Sequence, residues 1–245
     1  MKKYYSISQY PGKTGSYFYN LFFKKYNIDA SYVALGCQPE DFPTLFAQLT
    51  KDTDTHGISI SMPYKKAVMD YCSNSERNAV YYDSCNTVTI NDTQSTGYNC
   101  DLNGVIEMAK LFSVNDTVSI LGDGAMGQMF YRYLIDNKYQ HVNLYSRNKD
   151  NWQLRHNDAD VVINCTSLGT SIPNSPLEQI PTNCKMIIDL AIKDNELATQ
   201  SKHCAVRYIG GMTFYGYQFI KQFEYYSGIK ITIEQFNEAI ANEIN

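Results

Sequence analysis

Three stretches carry residue types that could do chemistry. The first is Val118 to Gly127, VSILGDGAMG. An apolar run ends at Leu121, the chain turns at Gly122-Asp123-Gly124, and Ala125-Met126-Gly127 continues into a pattern with an apolar stripe at Met129, Phe130, Tyr133 and Leu134. Gly-x-Gly-x-x-Gly after a strand and at the start of a helix is the arrangement that cradles a dinucleotide pyrophosphate. Gly122 permits the tight turn, Gly124 leaves the phosphates room to approach, and Gly127 lets helix and strand pack closely. Free N–H groups at the helix start would face the phosphates. A glycine-rich turn without a ligand has the same composition, and the strands on either side favour the nucleotide reading.

The next strand, His141 to Tyr145, runs into Ser146-Arg147-Asn148-Lys149, with no acid between Leu144 and Lys149. A carboxylate here would bind the ribose 2′-hydroxyl of NAD, whereas an arginine suits a 2′-phosphate. Arg147 therefore predicts NADP, the alternative being an ordinary exposed loop arginine.

The second stretch is Gly57 to Lys65, GISISMPYK. A strand is expected to end at Ser61, and Pro63 to open a helix with Lys65 in its first turn. A lysine there opposes the helix dipole. It is either surface noise or a group tuned for proton transfer, and local sequence favours the first. The third stretch is Gly97 to Gly104, GYNCDLNG, leading into a helix over Val105 to Phe112. Asp101 reads equally as a helix N-terminal carboxylate and as an acid poised over a site. Gly12-Lys13-Thr14 invites a phosphate-loop reading, but that motif needs glycine where Ile7 stands. This loop instead suits a small substrate at the end of the first strand, or a solvated turn.

The elements that must position these residues follow from periodicity. Strands are expected at Lys3–Ser8, Ser31–Leu35 and Gly57–Ser61, alternating with helices at Gly15–Tyr26 and Phe42–Thr50. Such alternation implies a mostly parallel sheet. Asn86–Ile90 is a further strand. In the second half, Asp160–Asn164 and Met186–Leu190 read as buried strands and Ala205–Tyr208 as a third. Gly210-Gly211 reads as a hinge-like turn, and Phe214–Tyr226 and Thr232–Ile244 as closing helices.

Bulk properties narrow the class. The 245 residues are 44% hydrophobic and 19% charged, with net charge −4. That suits a soluble α/β protein with a large core and gives no basic footprint for nucleic acid. Seven cysteines without a C-x-x-C pair and four scattered histidines give neither a disulfide framework nor a metal site. The N-terminus lacks a signal-peptide core and no run would span a bilayer, so a cytoplasmic location is expected. The 21 tyrosines are expected to fill core and interface area with a polar tip.

In order, these pieces resemble the shikimate dehydrogenase family, which includes quinate/shikimate relatives, nearly from end to end. Its N-V-T-x-P-x-K appears as Ser59 to Lys65, its N-T as Asn86-Thr87, and its G-Y-N-T-D-G-x-G as Gly97 to Gly104. The glycine-rich turn follows, then N-R-T as Ser146-Arg147-Asn148 and N-x-T-x-x-G-M as Asn164 to Thr170. The C-terminal G-x-x-M-L-V-x-Q and F-E-x-W-x-G appear as Gly211 to Gln218 and Phe223 to Gly228.

The resemblance implies two domains. Residues 1–104 plus 214–245 would form an α/β substrate-binding and catalytic domain, and 105–213 a Rossmann-type NADP-binding domain. It implies Lys65 and Asp101 as the catalytic pair, and Lys13, Thr14, Ser61, Asn86 and Gln218 as substrate ligands. Gly122, Gly124, Ala125, Gly127, Ser146, Arg147, Asn148, Thr166, Leu190 and Gly211 would line the cofactor, Gly211 beside the nicotinamide. The implied activity is NADP-dependent interconversion of shikimate and 3-dehydroshikimate by a monomer or homodimer without membrane partners. Quinate or another small hydroxy acid as substrate, and a nucleotide-binding module that has lost catalysis, are the alternatives.

Four departures accompany the likeness. The family's S-x-S carboxylate grip is Lys13-Thr14-Gly15, its substrate tyrosine is Ile192, and its Met-Leu pair is Phe214-Tyr215. Between Arg147 and Asn164 the chain is short for the family, so a helix, or a helix and a strand, of the cofactor domain is expected to be trimmed.

Overall fold

The structure is a computed structural model. It describes residues 1–92, 94–169, 172, 174–193 and 195–244, the last three for their backbone only. The chain divides into two compact units, Met1–Asp101 with Phe219–Asn245, and Leu102–Gln218. The changeovers thus fall inside helices, three residues before the boundary expected at 104 and five after that expected at 213.

The first unit begins β1 (Lys2–Ser8), α1 (Thr14–Lys25), β2 (Ala30–Gly36), α2 (Phe42–Lys51), β3 (Thr55–Ile60). A 3₁₀ turn over Ala67–Tyr71, β4 (Asn74–Ser75), α3 (Arg77–Tyr81), β5 (Thr87–Asn91) and β6 (Gln94–Tyr98) follow, and Asp101 opens α4 (Asp101–Ala109). The sheet order is β2-β1-β3-β5-β6-β4. β1 is parallel to β2 and β3, whereas β5 runs antiparallel to β3 and β6 antiparallel to β5. The β5–β6 hairpin was not legible in the sequence. In its pairing Asn91↔Gln94, Asp92 follows β5 at φ 54°, a conformation that Asp tolerates and tight hairpins use.

The tyrosines find their place in this unit. Tyr4, Tyr19, Tyr32 and Tyr226 are buried with Phe22, Phe23, Phe219, Phe223 and Phe236 from α1 and the two C-terminal helices. Tyr19 stacks on Tyr32 with centroids 4.3 Å apart. Their polar tips are satisfied: the Tyr4 hydroxyl donates to the Tyr226 carbonyl (2.8 Å), and the Tyr226 hydroxyl pairs with Ser59 Oγ (2.9 Å). Burial pushes the Tyr4 phenol up to about 12. Gly57 is required by this cluster, since a Cβ there would lie 2.5 Å from the Tyr226 ring.

The second unit contains β7 (Thr117–Leu121), α5 (Ala125–Asp136), β8 (His141–Tyr145), a 3₁₀ turn over Trp152–His156, β9 (Val161–Asn164), β10 (Met186–Asp189), α6 (Glu196–His203) and β11 (Arg207–Ile209). Its sheet is parallel throughout, in the order β11-β10-β9-β7-β8. β9 and β10 are buried at every position, as expected of strands covered on both faces. Against the six-strand order 3-2-1-4-5-6 of a doubly wound dinucleotide fold, there is no strand beyond β8 among the described residues. A single 3₁₀ turn joins β8 to β9, which is the trimming expected from the short Arg147–Asn164 interval.

α7 (Gly211–Ser227) is one continuous helix and α8 (Ile233–Ile244) closes the chain. Gly211 therefore starts a helix instead of forming a hinge. A Cβ there would lie 2.4 Å from the Leu190 carbonyl oxygen, so its smallness serves close packing. Phe214 fills space against Gly104, where a Cβ would come within 2.6 Å of the ring. Among the described residues no helix is long and apolar enough to cross a membrane.

Candidate active site

In the first unit, Lys65 Nζ lies 2.6 Å from Asp101 Oδ2, with the carboxylate side chain only 3% exposed and the lysine 17%. Asp101 Oδ1 accepts from Asn86 Nδ2 at 2.8 Å. Three stretches separated in sequence are thereby joined. Lys65 sits in the turn that follows β3, Asn86 immediately precedes β5, and Asp101 opens α4. The Cys85 N–H donates to the Lys65 carbonyl (2.7 Å), and the Asn86 N–H to the Tyr98 carbonyl (3.1 Å). The backbone is therefore pinned on both sides of the pair.

Asp101 opens α4 and at the same time contacts Lys65. Its carboxylate sits at a helix N-terminus, where negative charge is favoured, and it faces the lysine. Lys65 is different: residues 62–66 form turns and the 3₁₀ segment begins only at Ala67. The helix expected from Pro63 is absent, so the dipole argument against Lys65 falls away. An ammonium has three donors, and among the described residues Asp101 is its one recorded partner. Such a pair can take a proton from a hydroxyl and return it.

The thiol next to Asp101 in sequence does not compete for this role. Burial pushes Cys100 well above the ordinary thiol range, which keeps it as a neutral, weakly nucleophilic group. Among the described residues no group of three His, Cys, Asp or Glu could hold a metal.

The other expected substrate ligands are more dispersed. Ser61 is exposed at the end of β3, and its N–H donates to the Ile7 carbonyl (2.9 Å). Lys13 is exposed just before α1, on the rim of an open groove of about 780 Å³ shared with Tyr17, Asn20 and Tyr32. Thr14 is the half-buried first residue of α1. Among the described residues no hydrogen bond or ion pair joins Lys13, Thr14 or Ser61 to the Lys65–Asp101–Asn86 group. Gln218 is half-buried on α7 and falls in the second unit. The α7 glutamine that reaches Asn86 is Gln222, one turn later, a residue that no motif marked. Ile192 is 44% exposed.

In the second unit the glycine-rich turn has the expected build. Gly122 has φ 97°, and a Cβ there would press on Thr166 (3.0 Å) and the Cys165 backbone (3.2 Å). At Gly127 a Cβ would fall 1.8 Å from the Gly122 carbonyl oxygen, whereas at Gly124 it would meet nothing within 4 Å. Helix α5 is thus seated tightly on the turn while Gly124 and exposed Ala125 leave open space at its N-terminus. This is a cradle that fits a dinucleotide phosphate group.

The loop after β8 is folded by its own side chains. Buried Ser146 accepts from the Asn148 N–H (3.1 Å), and Asn151 bonds both the Ser146 N–H (3.1 Å) and the Leu144 carbonyl (2.9 Å). Arg147 and Asn148 are left exposed at the strand end. Asp123 places a carboxylate within the turn, with Lys149 Nζ 3.8 Å away.

Thr166 and Leu190 hold the strand ends. The Thr166 hydroxyl donates to Asn164 Oδ1 (2.7 Å) and accepts from the Leu168 N–H (3.1 Å). The Leu190 N–H donates to the Asn164 carbonyl (3.1 Å). Buried Asp189 accepts from Asn164, Asn195, Tyr208 and the Ala191 N–H, all at 2.8–3.0 Å. Sequence reading missed this network because its members are scattered over more than forty residues. Thr170, the last residue of the expected 164–170 match, lies outside the described residues.

Comparison with known proteins adds the following. Residues 15–88 match the family described as the shikimate dehydrogenase substrate binding domain. The shikimate dehydrogenase (NADP(+)) of Clostridium perfringens strain 13 is 25% identical over 238 residues, covering 87% of this chain and 87% of that protein. A chorismate mutase/shikimate 5-dehydrogenase fusion protein from Clostridium acetobutylicum superposes with a TM-score of 0.88 at 21% identity, over 100% of this chain and 98% of that one. The shikimate 5-dehydrogenase of Thermus thermophilus, solved in complex with NADP(H) and shikimate, gives 0.84 at 17% identity, over 99% of both chains. At these identities the structural likenesses establish the fold.

Proposed function

We propose that the chain, which resembles the shikimate dehydrogenase (NADP(+)) of Clostridium perfringens along most of its length and matches the family's substrate binding domain over residues 15–88, is a member of that family and an NADP-dependent shikimate dehydrogenase, interconverting 3-dehydroshikimate and shikimate on the way to aromatic amino acids. The observation that carries this reading is the buried Lys65–Asp101 pair with Asn86 on its second carboxylate oxygen. The first unit is assigned to substrate and the second to cofactor. Bound NADP supplies the hydride acceptor in one direction and, reduced, the hydride donor in the other.

The chain's own residues manage the proton. In oxidation, Lys65 as the amine accepts the proton of the reacting hydroxyl, and the Asp101 carboxylate stabilises the ammonium that forms. In reduction, the same ammonium returns a proton to the carbonyl oxygen. Asn86 orients the carboxylate. Gly122, Gly124, Ala125 and Gly127 would receive the pyrophosphate, and Ser146, Arg147 and Asn148 the 2′-phosphate. Thr166, Leu190 and Gly211 support the strand ends and the start of α7 around the cofactor. The free thiols suit a reducing cytoplasm, where the protein would act as a monomer or homodimer.

A second reading, quinate or another small hydroxy acid as substrate, is favoured by exposed Lys13 where the family carries a serine of its carboxylate grip. An ammonium there could pair with a carboxylate directly. The test is nicotinamide absorbance with shikimate and quinate, each with NADP and NAD. Turnover of shikimate with NADP above all other combinations is expected. Turnover of quinate alone would move the assignment to the second reading, and turnover of neither would remove shikimate and quinate as substrates.

A further inference from the structure

Gln222 is 3% exposed on α7 and all of its hydrogen-bonding directions are specified. Nε2 donates to the Asn86 carbonyl (3.0 Å) and to Thr87 Oγ1 (2.6 Å), while Oε1 accepts from the Tyr19 hydroxyl (2.6 Å). The Asn86 carbonyl can only accept, so the NH₂ of Gln222 must face it. Thr87 Oγ1 receives from Gln222 and has one proton to give, which goes to Asn86 Oδ1 at 2.8 Å. The Cys100 backbone N–H, which can only donate, reaches the same oxygen at 2.8 Å. Two donors converging on Oδ1 turn the NH₂ of Asn86 toward Asp101. With the amide reversed, its oxygen would face a carboxylate and its NH₂ would face two donors, a conflict that a buried site leaves uncompensated.

We propose that Gln222, held by Tyr19, is a positioning residue for the catalytic pair. Through Thr87 it locks the direction of the Asn86 amide and so the carboxylate against which Lys65 works. This deepens the dehydrogenase reading and rests on it. Thr87 is fully buried and Tyr19 is 1% exposed, so water cannot readily substitute for a missing member of the chain.

Gln222→Leu removes all three hydrogen bonds at similar volume. We expect kcat for shikimate oxidation to fall about tenfold, the size of one hydrogen bond to a charged group. KM for NADP should stay unchanged, the pH–rate profile should shift, and the Asn86 side-chain amide resonances should move in ¹⁵N NMR spectra. Should that variant not fold, Thr87→Val and Thr87→Ser carry the same test, with serine recovering most of what valine loses. A folded Gln222→Leu or Thr87→Val protein with a lower melting temperature but wild-type kcat, pH profile and Asn86 resonances would overturn the proposal. If the wild-type protein turns over no hydroxy acid, the functional reading fails by itself. The Asn86 resonances then decide positioning alone, displaced in the variants if it holds and unmoved if it does not.

Discussion

Lys65 and Asp101 should respond differently to substitution, because one carries the proton and the other stays buried when its partner is lost. Lys65→Ala removes the carrier and strands a carboxylate that is 3% exposed. Its kcat is expected to fall by about 10²–10⁴, with a lowered melting temperature from the unpaired buried charge. Asp101→Asn keeps the shape and loses the charge, so activity should fall with a smaller thermal penalty. Nicotinamide absorbance and thermal melts on the same preparations check both, and a Lys65→Ala protein with wild-type turnover would end the mechanism. Asp123 is a residue-scale liability of another kind, a carboxylate inside a phosphate cradle offset by Lys149 at 3.8 Å. Asp123→Asn should tighten NADP binding by about fivefold at low salt, and the gain should shrink as salt screens it. Fluorescence titration at two ionic strengths would read this, and weaker binding would show that the carboxylate serves the cofactor instead.

Among the elements, the β7–turn–α5 unit separates packing from ligand binding by two neighbouring glycines. A methyl at Gly127 collides with the Gly122 carbonyl, whereas one at Gly124 meets nothing within 4 Å. Gly127→Ala should therefore cost about 1–3 kcal/mol of stability, read by denaturant unfolding. Gly124→Ala should leave stability nearly unchanged and weaken NADP binding at least tenfold by calorimetry. Equal stability losses would contradict the geometry.

The strand starts offer a pH-dependent counterpart. Lys185 Nζ lies 2.7 Å from Asp160 Oδ1 and the Thr117 N–H 2.9 Å from Oδ2, tying together the beginnings of β7, β9 and β10. Chiefly the Lys185 bond, and then the Thr117 N–H, hold the Asp160 carboxyl below the ordinary carboxylate range. A depressed folded value means stability that is present above about pH 4 and lost as pH falls through that folded value. Asp160→Asn should thus melt lower than wild type at pH 7, with the gap closing in acid. A gap that widens as the pH falls from 7 would contradict a depressed Asp160 carboxyl.

For the whole molecule, the assignment of one unit to each ligand predicts separate footprints. Hydrogen exchange with saturating NADP should slow amides around residues 121–127 and 145–148 of the second unit, by up to about a hundredfold at a hundredfold excess over Kd. Shikimate should slow those around residues 61–65 and 99–101 of the first. NADP protection confined to the first unit's sheet would sink the division of labour.

The sequence by itself determined what local chemistry can determine. Strand and helix periodicity, the Gly122–Gly127 turn and the place of Arg147 after β8 are readable because each depends on neighbours a few residues away, whereas the local window read Lys65 as a surface lysine and left Asp101 open, and only the family resemblance paired them. Only the tertiary structure decided which of these groups meet. Lys65 and Asp101 are 36 positions apart, and Gln222 lies 136 from Asn86. The sheet order brings such residues together, including a β5–β6 hairpin too polar to announce itself. The same reason explains why Pro63 opened no helix and why Gln222 escaped notice. A proline or a helical glutamine looks ordinary in its local window, and its role is set by partners that only the folded chain supplies.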